Sequence, residues 1–422
     1  MSSKLKPKTL AMILAGGRVD ELNVLTYYRP KSAVPFGGFA RVIDFPLSNL
    51  MLSGLERVAI LSQFRSFSLI NHIGIGAAWD MIGRHRGVSI LPPSSGGASS
   101  SWYRGSADSV YQNLDFIRYH DPEVVLILSG DHVYSMDYQE MIAYHRDKDA
   151  DLTMACLQVP IEKAYRFGVA DLDDEDGQVG GRVVHYKEKP QRPKFSWASM
   201  TIFCFKPRVL FEVLEVNARE DNSFEFGRDI IPRMMADRRR VFGFKFSDYW
   251  GYTRTIEEYW QTNMDLLGAN PKIRLEEWGL RTNLEHRDIR DYQPMRIGRQ
   301  AEIVDSLVYN GCVVDGTVER SILFPGVHVG KGSVVRDSVL FFNTMIGENV
   351  RLDKVISDVN TSVGERSEIG EAVGLASERE ATVLGWNNAI PAGARIGSDC
   401  VIYPALRPEK FKRPIQNGEV IR

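Results

Sequence analysis

The stretch LAMILAGGRVDELNVLTYYRPKSAVPFGGFARVIDFPLSN, residues 10–49, decides how the rest of the chain folds. It opens with the apolar run Leu10–Leu14, whose length and composition are typical of a buried strand in a parallel sheet. The turn Ala15-Gly16-Gly17 follows at once, and glycine lets a backbone turn sharply and approach a ligand closely. Arg29 and Lys31 come later in the same stretch. A strand, a glycine turn and nearby cations together suit a nucleoside polyphosphate, because phosphate oxygens bind backbone N–H groups and positively charged side chains. The alternative is an ordinary βα turn, which begins in the same way.

Composition places the chain among globular proteins with room for two domains. Its 422 residues are 44% hydrophobic and 25% charged, and its net charge of -2 predicts no broad nucleic-acid-binding surface. The cysteines lie far apart and the histidines form no HExxH pattern, so neither a disulfide framework nor a zinc motif is indicated. No apolar run reaches membrane-spanning length, and the N-terminal residues lack the apolar segment of a signal peptide. We therefore expect a cytoplasmic protein without nucleic-acid or membrane partners.

Alternating strands and helices predict an α/β domain with a mainly parallel sheet. Arg57–Gln63 and Val124–Ser129 are further buried strands in this interpretation, with helical periodicity between them. Ligands of such sheets bind beyond the carboxyl ends of the strands, so Leu14–Gly17, Gln63 and Asp131 are expected to face one crevice. Asp131 is a hard carboxylate of the kind that binds Mg²⁺, and the alternative for this residue is a loop cap.

Two polar segments add candidate contacts around that crevice. Tyr103 and Gly105 follow the flexible loop SSGGASSS and precede a helix. An aromatic ring beside a glycine turn suits a nucleobase, and a plain surface loop is the alternative. Glu188 and Lys189 stand just before Pro190 and offer an acceptor for sugar hydroxyls and a cation for a phosphate. On composition alone, two adjacent charges before a proline more often form a solvated turn.

The last third of the chain changes to a six-residue pattern of small aliphatic residues. Val329, Ile346 and Val363 are seventeen residues apart, and glycine directly follows each of them. Six-residue repeats, about three to each coil, are typical of a parallel β-helix. A β-sandwich, the alternative, gives no reason for the constant spacing. We expect domains at residues 1–271 and 301–422 with a linker at 272–300. We also expect an oligomer, because β-helices often present a flat side to another subunit.

The motifs of the chain resemble those of a known family along nearly its whole length. In order they are LAGG, RPKSAVPFGG, SQFRSFSL, WYRGSADSVYQN, SGDHVYSMDY, FGVADLD, KEKP, ASMTIFCF, EFGRDIIP and EYWQTNMDLL. Together with the repeat they are similar to the bacterial glucose-1-phosphate adenylyltransferases, also called ADP-glucose pyrophosphorylases. The resemblance implies a Rossmann-like nucleotidyltransferase domain followed by a left-handed parallel β-helix. It also implies tetramers, of one chain or with a paralogous subunit, that convert ATP and glucose 1-phosphate to ADP-glucose and pyrophosphate with Mg²⁺ in glycogen or starch synthesis.

The roles implied by the resemblance fall largely on residues already singled out. The nucleotide would contact Leu14, Ala15, Gly16, Gly17, Gln63, Tyr103 and Gly105, and glucose 1-phosphate would contact Gly168, Glu188, Lys189 and Ser199. Lys31 would meet the phosphates as a catalytic residue, and Asp131 would be both catalytic and the Mg²⁺ ligand. Under this resemblance, Glu188 and Lys189 form a sugar-phosphate site rather than a solvated turn.

The sequence departs from the family where the phosphates should bind. The usual loop GGxGxRL has Val19 here in place of a glycine and Glu21 in place of an arginine, and such a charge reversal beside a polyanion costs several kcal/mol. Tyr252 replaces the aspartate of WRDVGT, the second Mg²⁺ ligand, and a neutral phenol is a poor ligand for this ion. Tyr28 and Phe39 replace lysines associated with sugar-phosphate activators, so the usual activator response is not expected. Two functions follow: a working adenylyltransferase with an altered loop, or a weak or inactive subunit that binds nucleotide or sugar phosphate and modulates an active paralogue.

Overall fold

The chain folds into an N-terminal α/β domain and a C-terminal parallel β-helix, which confirms the predicted fold class. This computed structural model describes residues 8–17, 20–84, 86–93, 102–173, 175–220, 222–286, 289–370 and 379–422. Within those ranges, no helix combines the length and the apolar character needed to cross a membrane.

The N-terminal domain alternates strands with helices. Its strands are β1 (Thr9–Leu14), β2 (Pro35–Phe36), β3 (Ala40–Arg41), β4 (Arg57–Leu61), β5 (Gly87–Leu91), β6 (Val124–Ser129), β7 (Val133–Tyr134), β8 (Leu152–Gln158), β9 (Gly168–Leu172), β10 (Gly180–Glu188), β11 (Trp197–Phe205), β12 (Val241–Phe246) and β13 (Trp250–Gly251). Its α-helices are α1 (Asp44–Leu52), α2 (Phe67–Ile73), α3 (Ser106–Tyr111), α4 (Leu114–His120), α5 (Tyr138–Asp147), α6 (Pro207–Asn217), α7 (Ile231–Ala236) and α8 (Ile256–Met264). Short 3-10 segments lie at Asp20–Thr26, Lys31–Ala33, Ala77–Trp79 and Ile161–Arg166, and a π-helical turn at Phe226–Ile230 leads into α7.

Among the described residues, nine strands form the central sheet in the order β5-β4-β1-β6-β11-β8-β12-β10-β9. The strands β5, β4, β1 and β6 are parallel, as the sequence predicts, whereas β11 runs antiparallel to both β6 and β8. The register pairs Leu14 with Leu61 and with Ser129, so β1, β4 and β6 end at the same edge of the sheet. The segments that follow these three strands therefore meet at that edge.

Successive residues of β1 point to opposite faces of the sheet and join different cores. Ala11 and Ile13 pack with residues of α1, α2 and α5, whereas Leu10 and Met12 pack with residues of α3, α4, α6 and α7. All four side chains are at most 1% exposed. Because helices cover both faces, β1 is apolar along most of its length, and the crevice for a ligand is left at the carboxyl edge.

The β-helix is built from three parallel sheets, one for each side of the coil. Its strands are β14 (Arg296–Ile297), β15 (Glu302–Val304), β16 (Leu307–Val308), β17 (Val313–Val314), β18 (Thr317–Glu319), β19 (Ile322–Leu323), β20 (His328–Val329), β21 (Val334–Arg336), β22 (Val339–Leu340), β23 (Met345–Ile346), β24 (Arg351–Asp353), β25 (Val355–Ser357), β26 (Ser362–Val363), β27 (Glu368–Ile369), β28 (Thr382–Leu384), β29 (Ala389–Ile390), β30 (Arg395–Ile396), β31 (Val401–Ile402) and β32 (Val420–Ile421). A 3-10 turn, Pro408–Phe411, separates the last two strands.

The seventeen-residue spacing reflects stacking of one coil on the next. Val329 pairs with Ile346 and Ile346 pairs with Val363, and all three side chains are buried. The first strand of the stack, Arg296–Ile297, pairs with β17 and lies inside the segment that we expected to be a linker. The stacked aliphatic residues form the core of the β-helix, in the arrangement that the sequence predicts.

The two domains share a core and a buried ion pair. One hydrophobic cluster contains residues of the N-terminal domain, such as Tyr259, together with β-helix residues such as Phe341. Arg29 Nη2 lies 2.8 Å from Asp358 Oδ1, and both side chains are at most 9% exposed. The indole N–H of Trp260 donates to the carbonyl oxygen of Asp337 at 2.7 Å. The β-helix is thus docked against the domain that carries the crevice.

Candidate active site

One cavity of about 580 Å³ lies at the carboxyl edge of β1, β4 and β6. The residues expected to bind ligands line it together: Leu14, Gly16, Gly17, Lys31, Gln63, Tyr103, Gly105, Asp131, Gly168, Glu188, Lys189 and Ser199. Ala15 is not among its lining residues, because this residue is 4% exposed and its N–H donates to the carbonyl oxygen of Leu61 at 2.9 Å. Val19 lies outside the described residues, so its expected effect on the loop stays a prediction.

Lys31 and Asp131 form an ion pair in the cavity. Lys31 Nζ lies 3.2 Å from Asp131 Oδ2, with the lysine side chain 3% and the aspartate 27% exposed. The Ser129 hydroxyl also donates to Asp131, and His132 Nε2 lies 3.4 Å from its other oxygen. Burial is the largest single effect and disfavours the charged carboxylate, but the charges of Lys31 and His132 and the hydrogen bonds from Ser129 and Lys31 together outweigh it and keep the pKa of Asp131 well below its usual value. Asp131 is therefore ionised at neutral pH and still partly open to the cavity.

The wall formed by Gln63 and Tyr103 is ordered by reciprocal hydrogen bonds. The Tyr103 N–H donates to Gln63 Oε1 at 2.7 Å, and the Gln63 amide donates back to the Tyr103 carbonyl oxygen at 3.4 Å. The Tyr103 ring is 7% exposed, and its hydroxyl donates to the carbonyl oxygen of Leu91. Gly105 has a structural reason to be glycine, because a Cβ there would collide with the backbone of Phe224. This wall offers a polar edge rather than an open aromatic face.

The opposite wall comes from β9, β10 and β11. Gly168 pairs with Glu188 across the β9–β10 ladder, and a Cβ on Gly168 would collide with Tyr186 and with the Glu188 carboxylate. The Tyr186 hydroxyl donates to Glu188 Oε2 at 2.7 Å, which fixes the carboxylate. Lys189 has a left-handed backbone with φ 42° and donates its N–H to the carbonyl oxygen of Phe167, so the chain turns there. Ser199 lines the cavity, and the pairing register of β11 with β8 shifts just after this residue. Such bulges are common beside functional sites.

Tyr252 fills the position beside the Lys31–Asp131 pair. Its carbonyl oxygen accepts a hydrogen bond from Lys31 Nζ at 2.9 Å, and Lys31 Nζ lies 5.4 Å from the centre of its ring. The ring packs against Phe167 and Trp250 at centroid distances of 4.8 and 5.3 Å. Burial raises the pKa of the Tyr252 hydroxyl above its ordinary value, so the phenol is neutral. An aromatic cluster thus stands where the resemblance implies a second carboxylate.

Glu21 is paired, which changes the meaning of its departure from the family. Arg254 Nε donates to Glu21 Oε1 at 3.0 Å, and Arg254 Nη1 donates to the Tyr252 hydroxyl at 3.3 Å. The sequence comparison led us to expect an uncompensated negative charge facing the phosphates. In the structure this charge is neutralised by an arginine 233 positions further along the chain. Repulsion of a polyanion by Glu21 is therefore weaker than expected.

Several lining residues were not predicted from the residue pattern. They are Ser106, His132, Arg166, Tyr186, Thr201, Glu225, Arg228 and Arg254. The segment EFGRDIIP signals Glu225 and Arg228, and WYRGSAD signals Ser106, because each lies within a motif that we had singled out. Arg254 gives no local signal, since its place depends on a contact with a distant turn.

Among the described residues that line this cavity, three carry carboxylates: Asp131, Glu188 and Glu225. Each accepts a hydrogen bond from a neighbouring hydroxyl, and Asp131 is the one that lies just after β6, at the sheet edge where the glycine turn after β1 also lies. No group of three or more acidic, histidine or cysteine side chains within the described ranges is arranged around a metal position. Mg²⁺ often takes one or two protein carboxylates and completes its shell with phosphate oxygens and water. The residues present therefore fit a magnesium ion that arrives with a nucleotide, with Asp131 as its protein ligand.

The two positions without the activator lysines pack against the β-helix. The Phe39 ring stacks on Tyr309 with centroids 5.6 Å apart and planes 6° apart. The Tyr28 ring contacts Trp386 with centroids 5.1 Å apart, and the Arg65 guanidinium lies 5.4 Å from the centre of the Tyr28 ring. Aromatic contacts between the domains therefore occupy the places of those cations.

Comparisons with known proteins agree with this architecture. Residues 10–268 match the family described as nucleotidyl transferase, and residues 293–383 match the family described as GlmU-like, C-terminal hexapeptide. A protein of Desulforamulus reducens named glucose-1-phosphate adenylyltransferase is 39% identical over 400 residues, which cover 94% of this chain and 98% of the relative. Relatives of the same name from Desulfitobacterium hafniense and Geobacillus stearothermophilus are 40% and 44% identical, over 93% and 79% of this chain and 97% and 84% of their own lengths. The chain belongs to the glucose-1-phosphate adenylyltransferase family, with a nucleotidyl transferase domain followed by a hexapeptide-repeat β-helix.

Proposed function

We propose that this protein transfers the adenylyl group of ATP to glucose 1-phosphate, which forms ADP-glucose and releases pyrophosphate. The Lys31–Asp131 ion pair carries the proposal, because one cavity holds this pair together with the Gln63–Tyr103 wall and the Glu188 wall. The first wall offers a polar edge to a base, and the second offers a carboxylate to sugar hydroxyls. The names of the relatives, at 39% and 40% identity over nearly the whole chain, support the same reaction.

Lys31 and the glycine turn would bind the phosphates during the transfer. An oxygen of the glucose 1-phosphate phosphate attacks the α-phosphorus of ATP in line, and the bond to the leaving pyrophosphate breaks. The attacking phosphate is already ionised, so no protein base is needed. The Lys31 ammonium would stabilise negative charge on the transferred phosphoryl oxygens, and Glu188 and Lys189 would orient the sugar phosphate. Mg²⁺, bound through Asp131 and the nucleotide, would offset further phosphate charge.

A second candidate function is favoured by the aromatic cluster around Tyr252. With a neutral phenol in place of a carboxylate, the chain would bind its ligands but turn them over slowly. It would then act as a modulating subunit in a mixed tetramer with an active paralogue, whereas the first function suits a homotetramer. The two candidates share the cavity and differ in the rate of the chemical step.

Pyrophosphate release from ATP and glucose 1-phosphate tests both candidates. The purified full-length chain is assayed with Mg²⁺, alone and mixed with an active paralogue from the same source. Turnover by the chain alone that Asp131→Asn abolishes would establish the enzyme. Absent turnover, combined with altered kinetics of the paralogue on mixing, would establish the modulating subunit. Absent turnover without any effect on the paralogue would refute both.

A further inference from the structure

Arg254 and Glu21 join two distant segments at the exposed side of the cavity. Glu21 lies on the turn Asp20–Thr26 after β1, and Arg254 lies between β13 and α8. Their side chains are 46% and 36% exposed, and Arg254 lines the cavity. An ion pair this exposed contributes little in water, so a stronger anion can replace the carboxylate.

Arg254 is held more loosely than two other arginines of the same cavity. Arg104 donates from Nε and Nη2 to the buried carboxylate of Asp108, and Arg166 donates from both terminal nitrogens to the two oxygens of Glu258. Arg254 donates to its carboxylate partner from Nε alone, at 3.0 Å. Its backbone N–H is fixed separately by Glu258, at 3.1 Å, so the main chain stays in place if the side chain turns. Arg254 also donates from Nη1 to the Tyr252 hydroxyl at 3.3 Å, which is a contact with a neutral group, so the guanidinium can present its remaining donors to a phosphate group.

Positively charged side chains predominate around Arg254. Lys31 and Arg254 line the same cavity, and the pKa of Lys31 is below its usual value because burial and the charge of Arg254 outweigh the opposing effect of Asp131. The pKa of Glu21 is below its usual value: burial opposes this, but hydrogen bonds and the charges of Arg254 and Lys189 outweigh it. Among the described residues that line the cavity, six carry cationic side chains against the three carboxylates of Asp131, Glu188 and Glu225; the six are Lys31, Arg104, Arg166, Lys189, Arg228 and Arg254. This surplus of positive charge suits a polyphosphate.

We propose that Arg254 binds the polyphosphate in this cavity and that Glu21 competes with the ligand for the same guanidinium. This rests on the proposed function in so far as ATP and pyrophosphate are the polyphosphates concerned. In the free protein Glu21 holds Arg254 at the rim; a phosphate group takes its place on binding. The two residues form one ion pair, yet they have opposite effects on affinity.

Opposite effects make the test sharp, because a purely structural ion pair would lose the same contact in either variant. Arg254→Gln, Glu21→Gln and Arg254→Lys are titrated calorimetrically with ATP and, separately, with inorganic tripolyphosphate, and thermal unfolding checks that each variant folds. Loss of one charge-assisted hydrogen bond corresponds to about a tenfold change in Kd. We expect Kd to rise about tenfold in Arg254→Gln, to fall roughly threefold in Glu21→Gln, and to lie in between in Arg254→Lys. Arg118→Gln and Glu215→Gln break another exposed ion pair, on α4 and α6, whose side chains are 53% and 42% exposed and 2.8 Å apart, and these variants should leave both affinities unchanged.

Equal weakening in Arg254→Gln and Glu21→Gln, or no change in either, would overturn the assignment. If wild type binds tripolyphosphate but not ATP, the proposed function fails while the assignment of Arg254 is still decided by tripolyphosphate. If wild type binds neither, both are wrong.

Discussion

Tyr252→Asp should raise the rate of pyrophosphate release by at least about a hundredfold. The substitution puts a second carboxylate beside the Lys31–Asp131 pair, since Lys31 Nζ lies 2.9 Å from the Tyr252 carbonyl oxygen and 5.4 Å from its ring centre. At an effective dielectric constant of about 20, a carboxylate about 5 Å from a divalent cation is attracted by roughly 7 kcal/mol before desolvation. If desolvation and the competing pull of Lys31 leave somewhat over a third of this, the gain is about 2.7 kcal/mol, which is two factors of ten in rate.

The assay must separate this gain from a loss of packing. The Tyr252 ring contacts Phe167 and Trp250, so its removal should lower the free energy of unfolding by about 2 kcal/mol, and unfolding is measured alongside the rate. Pyrophosphate release is followed at saturating ATP and glucose 1-phosphate over a range of Mg²⁺ concentrations. Tyr252→Phe keeps the ring without adding a carboxylate and should stay at the parent rate. A folded Tyr252→Asp variant with the parent rate at every Mg²⁺ concentration would show that the missing carboxylate does not limit the reaction.

Three further predictions test the ion pair in the cavity, a buried histidine and the contact between the domains. Asp131→Asn should reduce turnover by at least about a thousandfold, because the carboxylate that faces the phosphates loses its charge, and a similar rate in the two proteins would place the chemistry elsewhere. His145 is buried, and burial lowers its pKa to about 4. Because the unfolded chain then binds more protons than the folded chain between about pH 6.5 and pH 4, this histidine should cost wild type up to about 3 kcal/mol of unfolding free energy as the pH falls through that range. Denaturant unfolding of wild type and His145→Gln at pH 7 and pH 4.5 measures this, and equal losses in both would contradict it. Asp358→Asn leaves the buried Arg29 without its charged partner and should lower the free energy of unfolding by about 3 kcal/mol, whereas an unchanged unfolding midpoint would mean that the pair does not hold the domains together.

Sequence reasoning located the parts of the site that follow from strand ends. Leu14, Gln63 and Asp131 each come just after or at the end of an apolar run, and parallel pairing brings such positions to one edge whatever the rest of the fold does. The β-helix could also be predicted from the sequence, because its coils repeat a local pattern. The antiparallel direction of β11 could not be predicted, because the sequence of an apolar strand does not indicate its direction in the sheet. Contacts between distant segments could not be predicted from the sequence either. Gly105 is an example, because the backbone that leaves no room for a Cβ there belongs to Phe224, far along the chain.

The departures from the family form one unit and should be changed as one unit. Arg254 donates to Glu21 and to the Tyr252 hydroxyl, so the two described residues that depart from the phosphate-site motifs contact the same arginine. Restoring an arginine at position 21 alone would set two guanidinium groups against each other and remove the carboxylate that holds Arg254. Restoring an aspartate at position 252 alone would also offer a second carboxylate to Arg254, which competes with a metal ion for that charge, so the gain of at least about a hundredfold expected for Tyr252→Asp is a lower bound. Because residues in contact through a shared partner are not additive, the effect of each change depends on whether the other has been made. The single substitutions therefore understate the effect of the combined change on the rate. A variant that restores both residues and also neutralises Arg254 shows whether this cavity lacks catalytic groups or holds them in a different arrangement.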